Sequence, residues 1–175
     1  NGVGGGIYNG NTGSLFIANT TISSNSSATH AGGISNLGNS TITNSTISNN
    51  STVYSAGGIL NNGILKLSNS TIFGNTATKT SGGGIFNNSA LDIFNTTIAS
   101  NSANDGGGIY VNGGNLNISN TIIANSTSGG DYAGSGTVNL IGSATAANNL
   151  VTQTGSLVSA WATTKTSSQE WQAAA

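Results

Sequence analysis

The chain has 175 residues, with three Lys, no Arg, four acidic residues, one His, no Cys, no Met and no Pro, for a formal net charge of −1. Three lysines cannot build the basic stripe that nucleic acid demands, and no apolar run reaches the ~18 residues of a membrane-spanning helix. Without Cys there are no disulfides and no thiolate metal sites.

Gly, Asn, Ser and Thr dominate, as they do in disordered chains, but 35 % of residues are apolar and only 4 % charged, which argues against a solvated coil. Order along the chain settles the matter. The opening, NGVGGGIYNG (1–10), already lies inside a repeat, and position 1 is not Met. It reads as a processed product or a segment of something longer, with no signal peptide in view. Gly5-Gly6-Ile7 leads to the turn signal Asn9-Gly10, the alternating pair Leu15/Ile17 and the phrase NTTISSN (19–25). The same succession restarts at Gly32-Gly33-Ile34, with Ile42 alone in the middle and NSTISNN (44–50) at the end. It restarts at Gly57-Gly58-Ile59, with Asn62-Gly63, Leu65/Leu67 and NSTIFGN (69–75). It follows again from Gly83-Gly84-Ile85, with Leu91/Ile93 and NTTIASN (95–101). The last clear copy runs from Gly107-Gly108-Ile109 through Asn112-Gly113 and Leu116/Ile118 to NTIIAN (120–125).

The Gly-Gly-Ile isoleucines are spaced by 27, 25, 26 and 24 residues, and a period of about 25 held this long marks a solenoid. No stretch carries helical apolar spacing, and each repeat holds three short apolar beats. The fold predicted is all-β: a single-domain parallel β-helix over residues 1–145. It has five clear coils of about 25 residues with three short strands each, and Val138, Leu140 and Ile141 mark a degenerate sixth. Residues 146–175 carry Trp161 and Trp171 but no repeat, and form a cap or linking segment. Leucine-rich repeats share the period, but they need more Leu and less Gly, Ser and Thr than this chain has.

The phrase that closes each repeat brackets a strand with asparagines. Asn19, Asn44, Asn69, Asn95 and Asn120 form one register, and Asn25, Asn50, Asn75, Asn101 and Asn125 a second. Stacked in successive coils, each amide donates to one neighbour and accepts from the other, and Asn tolerates the left-handed angles that corners require. Both registers are predicted to be structural ladders. The Ile residues within the phrase are taken as Ile22, Ile47, Ile72, Ile98 and Ile122. The Gly-Gly pairs mark a third corner, where a side chain would strike the next coil.

With GGGI or AGGI followed about 15 residues later by Ile-x-x-Asn, residues 4–127 resemble the right-handed parallel β-helix repeat proteins of bacterial surfaces. They are similar to the polymorphic outer-membrane-protein type, with Ile where that type has Phe. Thr121–Asn125 followed by Asn139-Leu140-Ile141-Gly142 resembles the closing coils of large secreted β-helix proteins. The resemblance implies export, surface display, and adhesion or scaffolding.

Chemistry-bearing residues are few. Polysaccharide-cleaving β-helices need convergent carboxylates, or carboxylates holding Ca²⁺ beside a basic residue. The acids here are Asp92, Asp105, Asp131 and Glu170. Lys66 and Asp92 fall in the same slot of successive coils and are expected to pair, as are Lys79 and Asp105. His30 has no partner at ligand spacing and reads as an exposed loop residue. No catalytic residue, cofactor or metal site is expected.

One outward stripe stands out. The residues after each Gly-Gly-Ile are Tyr8, Ser35, Leu60, Phe86 and Tyr110, and Tyr8, Leu60, Phe86 and Tyr110 form a candidate interface or glycan platform unless a loop or the C-terminal segment covers them. A column of Thr21, Thr46, Thr71, Thr97 and Thr121 raises ice binding, but its neighbour column (Ser23, Ser48, Phe73, Ala99, Ile123) degrades along the rod. Sequons recur at Asn19, Asn39, Asn44, Asn50, Asn69, Asn95 and Asn125. The function expected is a secreted, non-enzymatic structural β-helix: a surface scaffold, adhesin stalk or head-to-tail filament subunit. It would sit outside the cell or on its surface and associate with itself or other surface proteins, with glycans as further partners. The alternatives are a carbohydrate-binding or polysaccharide-degrading β-helix and an ice-binding solenoid.

Overall fold

The computed structural model describes residues 4–140 and 150–151. Three six-stranded parallel sheets run along the rod. The first contains Ile7–Asn9, Ile34–Asn36, Ile59–Asn61, Ile85–Asn87, Ile109–Val111 and Tyr132–Gly134. The second contains Ser14–Ala18, Asn39–Thr43, Ile64–Ser68, Ala90–Phe94, Asn115–Ser119 and Thr137–Leu140. The third contains Thr21–Ser23, Thr46–Ser48, Thr71–Phe73, Thr97–Ala99, Ile122–Ala124 and Leu150–Val151. Each coil therefore contributes one strand to each sheet, and the sixth coil's last strand lies past residue 145. A fourth, three-stranded sheet of Ser26–Ser27, Ser51–Thr52 and Thr76–Ala77 has no apolar alternation to announce it. Coils one to three thus carry four strands rather than the three expected.

The core is a set of like-on-like columns. Ile34, Ile59, Ile85 and Ile109 stack from the first sheet and Ile47, Ile72 and Ile98 from the third, all fully buried. The second sheet supplies two columns, among them Leu65/Leu91/Leu116 and Leu67/Ile93/Ile118. Burying one such side chain is worth about 1.5–3 kcal/mol, and its neighbour above has the same shape, so a column packs without voids. Tyr132 fills the end of the first-sheet column, and its burial pushes the phenol up from its ordinary value.

The Gly-Gly pairs sit where coils approach most closely. A Cβ on Gly57 would lie 2.4 Å from Thr76 N, and one on Gly58 would lie 2.5 Å from Gly84 O. Only hydrogen fits between those backbones.

Candidate functional site

The recurring phrase is explained one atom at a time. Asn19, Asn44, Asn69, Asn95 and Asn120 all have φ between 48° and 52°, the left-handed corner between the second and third sheets. The next residue closes the turn: the hydroxyls of Thr20, Ser45, Ser70, Thr96 and Thr121 each donate to the carbonyl two residues earlier. The same oxygens face the preceding coil, where Thr20 N donates to Ser45 Oγ and Ser45 N to Ser70 Oγ, both at 3.1 Å. The corner amides are exposed. Asn120 donates to Asn95 at 2.6 Å and Asn95 to Asn69 at 3.1 Å, so this register is a surface ladder.

The second register is interior. Asn25, Asn50, Asn75 and Asn101 are stacked by Nδ2–Oδ1 bonds of 3.0 Å. The Oδ1 atoms of Asn50, Asn75 and Asn101 also accept the backbone N–H of the asparagine before them, and the same three amides donate to the Ile22, Ile47 and Ile72 carbonyls. Asn125 does not belong here. Ile98 pairs with Ile123, not Ile122, so the last phrase is aligned one residue later than the isoleucine spacing suggested. Ile123 is buried and Ile122 is 43 % exposed. Asn125, at φ 57°, joins the left-handed column of Ser24, Asn49, Gly74 and Ser100. Ser126 takes the ladder position, and its N–H is bound by Asp131 Oδ1 at 2.7 Å. Thr121 likewise leaves the threonine column, whose next member after Thr97 is Ile122. Two adjacent isoleucines look alike to a periodicity count, whereas the corner at Asn120 fixes which one faces inward.

A further interior ladder, not among the expected registers, runs along the first sheet. Asn9, Asn36, Asn61 and Asn87 are buried and linked by bonds of 2.8, 2.9 and 2.7 Å. Gly-Gly-Ile-x-Asn recurs in four coils, but at Asn9-Gly10 the same asparagine also carries a turn signal. Ser40 stands where the other four clear coils have Leu and donates to Asn36 Oδ1 at 2.7 Å, which accounts for the missing apolar beat beside Ile42.

The outward stripe is broken up by the chain itself. Tyr8, Ser35, Leu60, Phe86 and Tyr110 do share a register. Tyr8 is 54 % exposed, but Leu60 is only 6 % exposed, because the left-handed loop residues Ala31 and Ala56 fold back over the strand and pack with it. Leu60 is therefore no part of an open face. Phe86 and Tyr110 remain half-buried and stack with ring centroids 5.1 Å apart.

The charged residues have mostly local partners. Lys66 and Asp92 are opposite each other in register, and Asp92 Oδ1 accepts Asn117 Nδ2 at 2.7 Å. Lys79 lies 5.7 Å above the Tyr54 ring, not against Asp105, which is exposed and joins Ser81 through its backbone alone. His30 is exposed and packs on Tyr54 at 5.9 Å. Among the described residues no three His, Cys, Asp or Glu side chains gather to hold a metal. Glu170, Trp161 and Trp171 lie outside the described residues.

A family model for the right handed beta helix region matches residues 1–161. This chain belongs to the right-handed beta-helix family. No curated protein and no solved structure was found to match it. For a right-handed beta-helix, the arrangement here offers as outer features two surface amide ladders, Asn69/Asn95/Asn120 and Asn62/Asn88/Asn112, and a half-covered aromatic pair on the first sheet. No helix among the described residues is long and apolar enough to cross a membrane.

Proposed function

We propose that this beta-helix is a non-enzymatic structural rod, acting as a surface scaffold, adhesin stalk or head-to-tail filament subunit outside the cell. The observation that carries the reading is where its polar side chains go. Two interior amide ladders and two surface ladders, Asn69/Asn95/Asn120 and Asn62/Asn88/Asn112, join coil to coil, so the dominant side-chain chemistry serves stacking. Asp92 and Asp131 engage an amide and a backbone N–H of their own fold. The bacterial-surface repeat type suggested by the GGxI and IxxN motifs fits this role. Strands of the first described coil have a neighbour on one side only. Such an edge takes up further strands, from the same chain or from a second copy. Electron microscopy and sedimentation of the purified chain over a range of concentrations test self-association. Rods that lengthen with concentration are expected of a filament subunit. A single short species throughout rejects self-association and leaves the scaffold and stalk readings. Release of reducing ends from any polysaccharide, lost on substitution of an Asp, would overturn the non-enzymatic reading altogether.

A second reading, glycan binding, rests on the Phe86–Tyr110 stack. Aromatic steps of this kind hold flat sugar faces. Tyr110→Ala would then weaken retention on a polysaccharide gel, and unchanged retention dismisses the platform.

A further inference from the structure

We propose that Asn112 is a site of spontaneous backbone chemistry: it cyclises with Gly113 and deamidates, while two other Asn-Gly pairs of the same rod are protected. This goes beyond the structural role and does not depend on it. Cyclisation needs the backbone N of the glycine to reach the asparagine Cγ. Both a free side chain and a movable glycine are therefore required, since an unreachable near-attack geometry removes the intramolecular advantage.

The three pairs separate these two requirements. At Asn9-Gly10 a Cβ on the glycine would meet only the Tyr8 ring, at 3.6 Å, and the Gly10 carbonyl accepts Gly13 N at 2.8 Å. Asn9 itself is 7 % exposed and its Nδ2 is held by Asn36, the Asn39 carbonyl and Ser40 at 2.8, 3.0 and 3.2 Å. At Asn62-Gly63 the side chain is exposed, but its Oδ1 is held by Asn88 at 2.6 Å. Gly63 is packed so hard on the preceding coil that a Cβ would lie 2.0 Å from Gly38 O. The peptides on either side of it are anchored by Asn62 N to Asn36 O and Ile64 N to Gly38 O.

Asn112-Gly113 comes nearest to both conditions, although Asn112 N is anchored to Asn87 O and Asn115 N to Ser89 O as the peptides around Asn62-Gly63 are. Asn112 is exposed, and its side-chain contact is the donation to Asn88 at 2.9 Å. The connection between Ile109–Val111 and Asn115–Ser119 has three residues, where Asn62-Gly63 and Asn88-Ser89 make the same turn with two. Gly114 takes the stacked place over Ser89, since a Cβ there would lie 2.3 Å from Ser89 O. Gly113 is the extra residue, at φ 100° with nothing within 4 Å of its Cβ position.

In the reaction the Gly113 N attacks Asn112 Cγ. The new N–Cγ bond forms, the Cγ–Nδ2 bond breaks, and ammonia leaves carrying the amide proton. Water then opens the imide at either carbonyl, giving Asp or its isoaspartyl isomer. The product loses the Nδ2 donor and sets a carboxylate against Asn88 Oδ1, so the surface ladder of Asn62, Asn88 and Asn112 loses its end. The isoaspartyl form also lengthens the main chain by one carbon just before the fifth strand of the second sheet.

The test is peptide mapping by mass spectrometry of the intact folded chain held at mildly alkaline pH, with isoaspartyl detection. Asn112 is expected to convert at least about tenfold faster than Asn9 or Asn62, the margin an accessible near-attack geometry readily gives. In denaturant the three sites should converge. Deleting Gly113 keeps an Asn-Gly dipeptide but restores the two-residue turn, and the rate at Asn112 should fall to that at Asn62. Comparable rates at all three sites in the folded chain, or an unchanged rate in a folded deletion variant, would overturn the proposal. The ranking in the unaltered chain decides alone if the deletion does not fold.

Discussion

Coils two to four and the coils that follow them share a backbone path but not an interior. In the middle of the rod Asn36, Asn61 and Asn87 stack without interruption, as do Asn50, Asn75 and Asn101. In the fifth coil both ladders stop. Val111 follows Asn87 in register, and Asn87 Nδ2 turns to the Ser89 carbonyl of its own coil at 2.8 Å. Ser126 follows Asn101, and Asp131 supplies the acceptor that the next asparagine would have given. The difference shows what an interior polar column requires. The first ladder ends with its last amide re-partnered inside its own coil, whereas at the end of the second the Ser126 Oγ is buried without a partner, the kind of half-satisfied group that makes ending an interior polar column costly.

Breaking the column in its middle should have the largest effect. Asn75→Ala strands the Asn50 backbone N–H, one bond of Asn50 Nδ2, one of Asn101 Oδ1 and the Ile47 carbonyl. A loss of about 4 kcal/mol is expected from the denaturant midpoint. Gly58→Ala tests close approach instead of hydrogen bonding. Its Cβ would meet Gly84 O at 2.5 Å, and about 2–3 kcal/mol should be lost in the same assay. At the closing end, Asp131→Ala leaves the Ser126 N–H without its acceptor and should cost about 2 kcal/mol, with Asp131→Asn recovering much of it. A cost as large as that of Asn75→Ala would mean that the end is as cooperative as the middle.

The outer ladder sharpens the contrast between burial and exposure. Asn69→Ala removes an acceptor for Asn95 on the surface, and water can replace it. The loss should stay near 1 kcal/mol, most of it from the left-handed angle that alanine tolerates less well. Ser35→Ala should be neutral or slightly stabilising in thermal unfolding. Its Oγ is buried without a partner between Tyr8 and Leu60, so the change removes a desolvated hydroxyl and leaves the chain path intact.

Much of the rod was legible because a solenoid writes its contacts at one sequence offset. Ile34, Ile59 and Ile85, or Asn50, Asn75 and Asn101, reveal their stacking by recurring every 25 or 26 residues. The fourth sheet was hidden because Ser51–Thr52 and Thr76–Ala77 have no apolar alternation, and their pairing follows from the interior Asn just before them. The role of Asn9, Asn36, Asn61 and Asn87 was hidden because each stands at or next to the turn that follows its strand, where Asn reads equally as turn chemistry.

The sequence alone determined the parallel coil, its period, its apolar columns and the corner asparagines, since each depends on local chemistry repeated in step. Tertiary structure decided which of Ile122 and Ile123 enters the core and which end of the Asn125-Ser126 pair meets the ladder. It also decided that Leu60 is roofed while Tyr8 is open. These are questions of direction. A side chain's direction is set by the corner that precedes its strand and by the loop folded over it, and neither has a period to count.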